Sequence, residues 1–229
     1  MPLNKQTGNM YGFITHTWNP IKGKCYHDCS YCSIKKITKR YNHVQKPPAL
    51  YNDELKIKLG TGNFIFVGSS IDMFAQDIIT EWIQLVLDRC CQYPENTYLF
   101  QSKNPTRFLD FDNEFPTKHV LCTTIETNRF FSDIMGKSPY PYERIKYIYD
   151  AKHRGHNTMI TIEPIMEFDM DSFLPLLAYA KPDFLNIGAD SKKCGLPEPD
   201  KGKIIELMDG LHEVGINPYI KENLWRLIG

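Results

Sequence analysis

The chain has 229 residues, of which 42% are hydrophobic, and its 27 basic side chains balance 27 acidic ones. This composition predicts a single globular domain over residues 1–229, and a formal charge of zero argues against a broad electrostatic grip on DNA, because phosphate-driven binding needs a basic excess. No apolar run approaches the ~20 residues that a membrane span requires, so we expect a cytoplasmic protein without a membrane partner.

The first predicted elements lead into a group of cysteines. Residues 1–9 are polar, and we expect a loosely held N-terminal tail there. Residues 11–18 alternate aromatic side chains with Thr and His, as a strand does, and Asn19-Pro20 predicts a turn after them. The segment Lys24-Cys25-Tyr26-His27-Asp28-Cys29-Ser30-Tyr31-Cys32 follows, with a C-x3-C-x2-C spacing.

Three thiolates within eight positions can converge from one loop onto a single inorganic core. Three ligands leave one iron of a four-iron cluster open to a small molecule. A structural zinc site is the alternative, with His27 as a fourth ligand, but no second C-x2-C lies downstream. Disulfides are disfavoured because seven cysteines is an odd count and no secretory signal is recognisable. The spacing favours an iron-sulfur cluster over zinc.

Residues 33–41 place apolar side chains at helical spacing directly after the third cysteine. Four cations, Lys35, Lys36, Lys39 and Arg40, surround them, so the pattern predicts a basic helix that leaves the cysteine loop. Such a helix is either a solvated face or a place where phosphates bind beside the cluster. Residues 42–62 form a predicted connection with a short helix near Asp53.

Strands and helices then alternate along the chain. Strands are predicted at 63–68, 97–101, 119–124, 157–163, 184–187 and 217–220, and helices at 80–91, behind Asn104-Pro105, and at 128–135, 142–153, 171–180 and 203–214. With residues 11–18, seven strands separated by helices predict a parallel sheet with right-handed crossovers. A doubly wound sheet and a barrel both fit this pattern, although no G-x-G-x-x-G follows a strand, which weakens a dinucleotide-binding fold.

Polar residues follow the predicted strands. They are Ser69, Ser70 and Asp72; Ser102 and Lys103; Thr124 and Glu126; Glu163; Gly188 and Asp190; and Lys221 and Glu222. Polar residues concentrated at the carboxyl ends of parallel strands are typical of a barrel active site. Six consecutive strand ends of this kind favour a binding or active site at this end of the barrel, which we call the mouth, over the ordinary polarity of loops.

The cysteine spacing, with the aromatic Tyr31 directly before Cys32, resembles the signature of the radical S-adenosylmethionine (radical SAM) superfamily. This resemblance implies an α/β fold, a parallel (β/α) partial TIM barrel of six to seven strands. It also implies a 4Fe-4S cluster held by Cys25, Cys29 and Cys32, and S-adenosylmethionine that is reductively cleaved to a 5'-deoxyadenosyl radical for hydrogen-atom abstraction. A reductant such as flavodoxin or ferredoxin would supply the electron.

The resemblance extends along nearly the whole chain. The segments 17–20, 67–74, 101–105, 124–128, 162–164 and 219–221 are similar to a phage-associated radical SAM family of unknown function, and more distantly to spore photoproduct lyase. Two features depart from the pattern. The gap between the first two cysteines is shorter than in common family members, and Gly68-Ser69-Ser70 stands where many superfamily members have Gly-Gly-Glu.

The cofactor implied by the resemblance presents groups that the strand ends would bind. Oxygens of Ser69, Ser70 and Asp72 would accept from its methionyl amino group, and Lys103 would pair with its carboxylate. Thr124 and Glu126 would bond to the ribose, and Tyr31 would contact the adenine.

Glu163 and Lys221 would face the substrate, although Lys221 is equally suited to a salt bridge at the barrel rim. We expect core packing for Cys90, Cys91 and Cys122. Cys194 lies in a loop near the predicted mouth, where a thiol would donate a hydrogen atom or simply stay exposed.

The resemblance and the basic helix favour a nucleotide or nucleic-acid base as the substrate. Two alternatives remain: a metal- or cluster-binding interaction protein without radical chemistry, and a peptide-modifying radical SAM enzyme. For the latter, no dedicated peptide-binding extension is recognisable.

Overall fold

The computed structural model describes residues 3–6 and 10–229. The strands of this described part are β1 (Asn4–Lys5), β2 (His16–Trp18), β3 (Ile21–Lys22), β4 (Ala49–Leu50), β5 (Phe64–Val67), β6 (Thr97–Gln101), β7 (His119–Thr124), β8 (Thr158–Ile162), β9 (Phe184–Ile187) and β10 (Tyr219–Ile220). The helices are α1 (Ser33–Arg40), α2 (Asn52–Leu55), α3 (Thr80–Cys91), α4 (Ser132–Met135), α5 (Pro141–His153), α6 (Met170–Ala180), α7 (Lys201–Glu213) and α8 (Trp225–Ile228). Short 3-10 helices span Pro105–Phe111 and Glu222–Leu224.

The main sheet runs in the order β1-β2-β5-β6-β7-β8-β9-β10. Each neighbouring pair from β2 to β10 is parallel, and only β1 pairs antiparallel. A doubly wound sheet reverses its strand order partway, whereas this order follows the chain in one direction, as in a barrel. With β1 and β10 at its two edges, the sheet is a partial barrel with seven parallel strands, and the predicted fold class is confirmed.

The two faces of the sheet bury different sets of side chains. In β5, Ile65 and Val67 join the large hydrophobic cluster that also holds helical residues such as Ile83. Phe66, between them, belongs to a second cluster with Tyr11, Leu99, Val120 and Met159. Because alternate residues of a strand point to opposite faces, the second cluster fills the face away from the helices. The segment before β2 therefore plugs the inside of the partial barrel.

Most predicted elements are found close to their predicted positions. Helix α3 and strands β6, β7 and β9 have the predicted bounds, and α1 ends one residue early. The strand predicted at 11–18 is wrong in its first half, because Tyr11 and Ile14 form a turn and pack into the second cluster. The helix predicted at 128–135 begins only at Ser132, because the Asn128 side chain bonds instead to the Asp169 backbone and to Ser172.

Two short pairings lie outside the predictions. Asn4 and Lys5 pair with Thr17 and His16, so part of the predicted tail is a strand; residues 1–2 and 7–9 of that tail lie outside the described residues. Strands β3 and β4 form a separate antiparallel pair on either side of the cysteine loop and α1. No helix in the described part of the chain is long and apolar enough to cross a membrane.

Candidate functional site

A cavity of about 290 Å³ lies at the carboxyl ends of the parallel strands. It brings together ten of the twelve predicted site residues, which are Cys25, Cys29, Cys32, Tyr31, Ser69, Ser70, Asp72, Lys103, Thr124 and Glu163. The other two, Glu126 and Cys194, do not line it. Residues that are far apart in sequence thus meet at one mouth, as the polar strand ends predicted.

The cysteine loop rests on the end of α4 and on the residues directly after it. Ser30 N donates to Ile134 O (2.9 Å), Lys137 N donates to His27 O (2.7 Å), and the Cys29 thiol lies 3.4 Å from Met135 O. Gly136 has a φ of +60°, and a Cβ there would collide with His27 O. A glycine is therefore required for the loop to approach this closely.

His27 connects the cysteine loop to two strand ends through Asp72. Its Nε2 lies 2.7 Å from Asp72 Oδ2, and that same oxygen accepts from Ser102 Oγ (3.0 Å) and Lys103 N (2.8 Å). Burial opposes the charge on Asp72, but these hydrogen bonds outweigh it and lower the pKa of the carboxyl. Asp72 thus holds the site together, and its contact with a cofactor stays a prediction.

The thiols have no preformed site for a single ion. In the part of the chain that the structure describes, no three Cys, His, Asp or Glu side chains are grouped to hold one metal ion. Burial and the Asp72 charge raise the pKa of the Cys25 thiol to about 12. His27, the alternative fourth zinc ligand, uses Nε2 for Asp72, while its Nδ1 is buried without a hydrogen-bond partner.

A chain of buried charges lies behind Cys29. Lys103 Nζ is 3.3 Å from Cys29 Sγ and 2.9 Å from Glu126 Oε1, and it lies over the Tyr31 ring. Glu126 is fully buried, accepts from the Tyr31 hydroxyl, and its Oε2 pairs with Arg144 at 2.7 Å. The carboxylate oxygens of Glu126 are therefore engaged within the protein, and its predicted contact with a ribose stays a prediction.

These contacts determine the charge states of Glu126, Lys103 and Tyr31. Burial opposes the charge on Glu126, but Arg144 and Lys103 outweigh burial and hold the pKa of the carboxyl well below its usual range. Burial likewise opposes the charge on Lys103, while Cys29 and Glu126 together raise its pKa. Burial and then Glu126 raise the pKa of Tyr31. All three groups keep their ordinary charge states at neutral pH.

The turn after β5 presents hydroxyls to the cavity. Gly68, with a φ of +76°, begins it, and Asn19 Oδ1 accepts from both Ser69 Oγ (3.1 Å) and Ser70 N (2.9 Å). Ser70 Oγ is buried and has no hydrogen-bond partner. An unpartnered buried hydroxyl at a cavity wall is a candidate ligand group, because burying it unpaired is costly.

Tyr11 forms the floor of the cavity. Its hydroxyl donates to Gln101 Oε1 (2.8 Å), and Gln101 Nε2 donates to Thr124 Oγ1 (3.0 Å). Burial raises the pKa of Tyr11 well above its ordinary value, so the hydroxyl stays protonated. Thr124 is thus held in place from below.

On the far wall, Glu163 is paired rather than free. Its Oε2 lies 2.6 Å from Lys221 Nζ, its Oε1 accepts from Asn223 Nδ2 (2.9 Å), and Lys221 also lies over the Tyr11 ring. Of the two alternatives for Lys221, the structure has the salt bridge, and Glu163 still borders the cavity. Its catalytic role stays a prediction.

The remaining cysteines have different surroundings. Cys90 and Cys122 are buried, as expected for core residues, but Cys91 is exposed, so core packing is wrong for Cys91 because its position faces outward on α3. Cys194 is partly buried, with its Sγ 3.9 Å from the Tyr31 carbonyl oxygen, and burial raises its pKa. Its loop lies next to the cysteine loop, and hydrogen-atom donation stays a prediction.

Two of the four cations of the basic helix α1 bond to other parts of the protein. Lys35 Nζ pairs with Asp28 Oδ1 (2.5 Å), and Lys36 Nζ donates to Lys192 O (2.6 Å), which links α1 to the loop after β9. Lys39 and Arg40 are exposed in the last turn.

Three residues of the site were not among the predicted ones: Arg144, Asn19 and Asn223. Of these, Arg144 could have been predicted to be buried. It stands one turn before Ile148 and two turns before Ala151, so it shares the face of α5 that these two buried residues occupy. A cation at such a position needs a buried anion as its partner.

Comparisons with known proteins agree with this architecture. The family described as "Protein of unknown function (DUF5131)" matches residues 10–167. No curated protein matches the chain in sequence. Among solved structures, spore photoproduct lyase complexed with dinucleoside spore photoproduct is similar at 10% identity and a TM-score of 0.69, with 94% of this chain and 79% of that chain covered.

Two further structures contain S-adenosylmethionine. A spore photoproduct lyase mutant with bound AdoMet and dinucleoside spore photoproduct has a TM-score of 0.67 at 10% identity, covering 96% of this chain and 80% of that chain. Streptococcus suis SuiB bound to S-adenosylmethionine has a TM-score of 0.56 at 11% identity, covering 90% of this chain and 46% of that chain. The predicted similarity to spore photoproduct lyase is confirmed at the level of the fold.

Proposed function

We propose that this chain, which belongs to the family of unknown function DUF5131, is a radical SAM enzyme with a 4Fe-4S cluster. One observation carries the proposal: Cys25, Cys29 and Cys32 line a single cavity with hydroxyl and cationic groups from the ends of the parallel strands. The fold shared with the spore photoproduct lyase that has bound AdoMet supports it.

The chemical types of the side chains around the cavity suit both a 4Fe-4S cluster and S-adenosylmethionine. Three thiols from one loop are a suitable ligand set for a cluster that keeps one iron open. The unpartnered Ser70 Oγ is the kind of atom that a bound cofactor would satisfy, because its hydroxyl can accept from an amino group. His27 holds the loop through Asp72 rather than completing the ligand set.

When bound, the cluster and S-adenosylmethionine supply a 5'-deoxyadenosyl radical that removes a hydrogen atom from a substrate. Ser69 and Ser70 would bind the methionyl amino group, and Lys103 would pair with the carboxylate. Thr124, held by Gln101, would bond to the ribose, and Tyr31 would contact the adenine. Tyr11 and Phe66 close the floor and exclude water from below.

A nucleotide or nucleic-acid base is the substrate class that we propose. Support comes from the bound ligand of the similar lyase, a dinucleoside spore photoproduct, and from the exposed cations Lys39 and Arg40 in the last turn of α1, whose first residues line the cavity. Glu163, fixed by Lys221 and Asn223, would accept a hydrogen bond from the substrate at the cavity wall. A low-potential donor such as flavodoxin or ferredoxin would supply the electron.

Anaerobic reconstitution tests the function directly. We expect about four irons per chain, a broad absorbance near 400 nm, as thiolate-ligated clusters give, and 5'-deoxyadenosine after addition of S-adenosylmethionine and a reductant. Stoichiometric zinc with no iron would overturn the cluster. A reduced cluster protein that never cleaves S-adenosylmethionine would instead support the alternative of a cluster-binding interaction protein.

A further inference from the structure

We propose that Lys103 raises the reduction potential of the cluster by placing a buried positive charge against the sulfur of Cys29, and that Glu126 and Arg144 fix that charge in position. The inference rests on the proposed function and deepens it. Lys103 would thus make the cluster easier to reduce, in addition to binding the carboxylate of S-adenosylmethionine.

The geometry directs the ammonium at the thiol. Lys103 Nζ lies 3.3 Å from Cys29 Sγ, within the range of a hydrogen bond to sulfur, and Cys29 is itself buried. The Lys103 side chain is only 14% exposed. The ammonium is confined between that sulfur, the Tyr31 ring and the carboxylate of Glu126.

Glu126 and Arg144 hold Lys103 in place, and the negative charge of Glu126 also acts on the cluster itself. Glu126 Oε1 is 2.9 Å from Lys103 Nζ, and Glu126 Oε2 is 2.7 Å from the Arg144 guanidinium. Arg144 also donates to Thr124 O at 2.5 Å, which attaches the pair to the end of β7. Both side chains are fully buried, so this arrangement is screened little by solvent.

The direction of the effect follows from charge. Reduction transfers one electron from a donor of the flavodoxin or ferredoxin class to the cluster, which becomes more negative by one unit. A cation that donates a hydrogen bond to a ligating sulfur stabilises the reduced form, and cluster potentials follow net charge and hydrogen bonds to the sulfurs. A buried anion nearby favours the oxidised form. Lys103 and Glu126 should therefore have effects of opposite sign.

The test is a redox titration of the reconstituted protein without S-adenosylmethionine. The electron paramagnetic resonance signal of the reduced cluster measures the extent of reduction. At the potential that half-reduces the wild-type cluster, Lys103→Gln should lower the ratio of reduced to oxidised cluster at least tenfold, equivalent to about 59 mV for one electron. Lys103→Arg keeps the charge, so its ratio of reduced to oxidised cluster should stay close to the wild-type value. Lys192→Gln is the matched control, because Lys192 borders the same cavity but is exposed.

Glu126→Gln provides an independent measurement with the opposite expected sign, namely a higher ratio of reduced to oxidised cluster. If Glu126→Gln does not fold, the Lys103 variants still decide the matter. A wild-type protein that assembles no cluster overturns the proposed function, and the inference with it. A wild-type cluster whose potential equals that of Lys103→Gln overturns the inference alone.

Discussion

Each end of the parallel sheet carries a network of charged and polar groups, partly buried at the amino ends and largely buried at the carboxyl ends, and the two networks differ in how completely their groups are paired. At the amino ends, His119 Nδ1 lies 2.6 Å from Pro116 O, and its Nε2 lies 2.8 Å from His156 Nδ1. His156 Nε2 in turn lies 2.8 Å from Asp112, with the ring of Phe115 stacked on His119. Each of these ring nitrogens has a partner.

At the carboxyl ends the network is incomplete. Ser70 Oγ and His27 Nδ1 are buried without hydrogen-bond partners, and Cys25, Cys29 and Cys32 form no disulfide. A fully paired network stabilises the fold, whereas unpaired buried groups cost free energy and persist where a ligand satisfies them. The comparison therefore assigns stability to the His119-His156-Asp112 network and binding to the network around the cysteine loop. Substitutions at the two ends test that division.

Loss of one cysteine of the loop should remove the cluster entirely. Cys25→Ala, Cys29→Ala or Cys32→Ala leaves two thiolates, which are too few to hold it, so the iron content and the absorbance near 400 nm should disappear. Cys91→Ala is the matched control, because this thiol is exposed on α3. Full iron content in any of the three loop variants would contradict the ligand assignment.

Glu126→Gln should destabilise the cluster-free protein by about 3–5 kcal/mol, because it leaves the fully buried Arg144 without its anion. Denaturant unfolding followed by circular dichroism measures the change in free energy. Asp53→Asn, which breaks an exposed pair with Lys56, is the control, with no measurable change expected because solvent screens such a pair. Similar losses for the two variants would show that Glu126 is not a structural anchor.

Lys103→Ala should weaken S-adenosylmethionine binding by roughly 1.5–3 kcal/mol, the size of a charge-assisted hydrogen bond, if the ammonium pairs with the cofactor carboxylate. Calorimetry on the reconstituted protein measures the affinity, and iron analysis checks that the cluster remains. An unchanged dissociation constant would leave Lys103 with its effect on the cluster potential only.

At the amino ends, Asp112→Asn should cost about 1 kcal/mol of stability at neutral pH, the size of a typical hydrogen bond. The bond to His156 lowers the pKa of Asp112, so its contribution is present above the unfolded pKa and is lost as the pH falls through the lower folded value. The difference between the unfolding curves of wild type and variant should therefore begin to shrink as the pH falls below about 4 and vanish at lower pH. S-adenosylmethionine cleavage should not change, and a loss of cleavage would break the division between the two ends.

The smallest effect concerns nucleic-acid binding. Because α1 offers Lys39 and Arg40 to solvent while Lys35 and Lys36 bond within the protein, neutralising Lys39 and Arg40 should reduce the salt dependence of binding by roughly one unit of slope per lost phosphate contact. Fluorescence anisotropy with a labelled single-stranded oligonucleotide measures it. Absence of binding at low salt, or equal slopes for variant and parent, would exclude this role for α1.

The sequence predicted the sheet better than it predicted the interior of the site. Strands such as Thr97–Gln101 are continuous apolar runs with polar neighbours, so local pattern decides their bounds. The two-residue strands Asn4–Lys5 and Ile21–Lys22 depend on tertiary pairing and carry no such pattern. The cysteines and strand-end hydroxyls were predictable because their chemistry is local.

The pairing of Glu126 with Arg144 was not predictable in the same way. The two residues are 18 positions apart, on a strand end and a helix, and only the packing of α5 against β7 brings them together. From the sequence, His27 was a candidate zinc ligand because it lies between the cysteines. Its hydrogen bond to Asp72, 45 positions away, could not be predicted from that local pattern. Long-range contacts of this kind decide whether a polar strand-end residue faces a ligand or the protein.

The support that Gly136 gives to the cysteine loop bears on when iron can enter the protein during synthesis. Cys29 and Met135 are separated by 106 positions, so the thiols leave the ribosome long before their supporting segment does. At roughly 5–20 residues per second, the delay is on the order of 5–20 s. Cluster insertion should therefore follow the emergence of α4, and ribosome-bound chains that stop before Ile134 should hold no iron, which analysis of stalled complexes can measure.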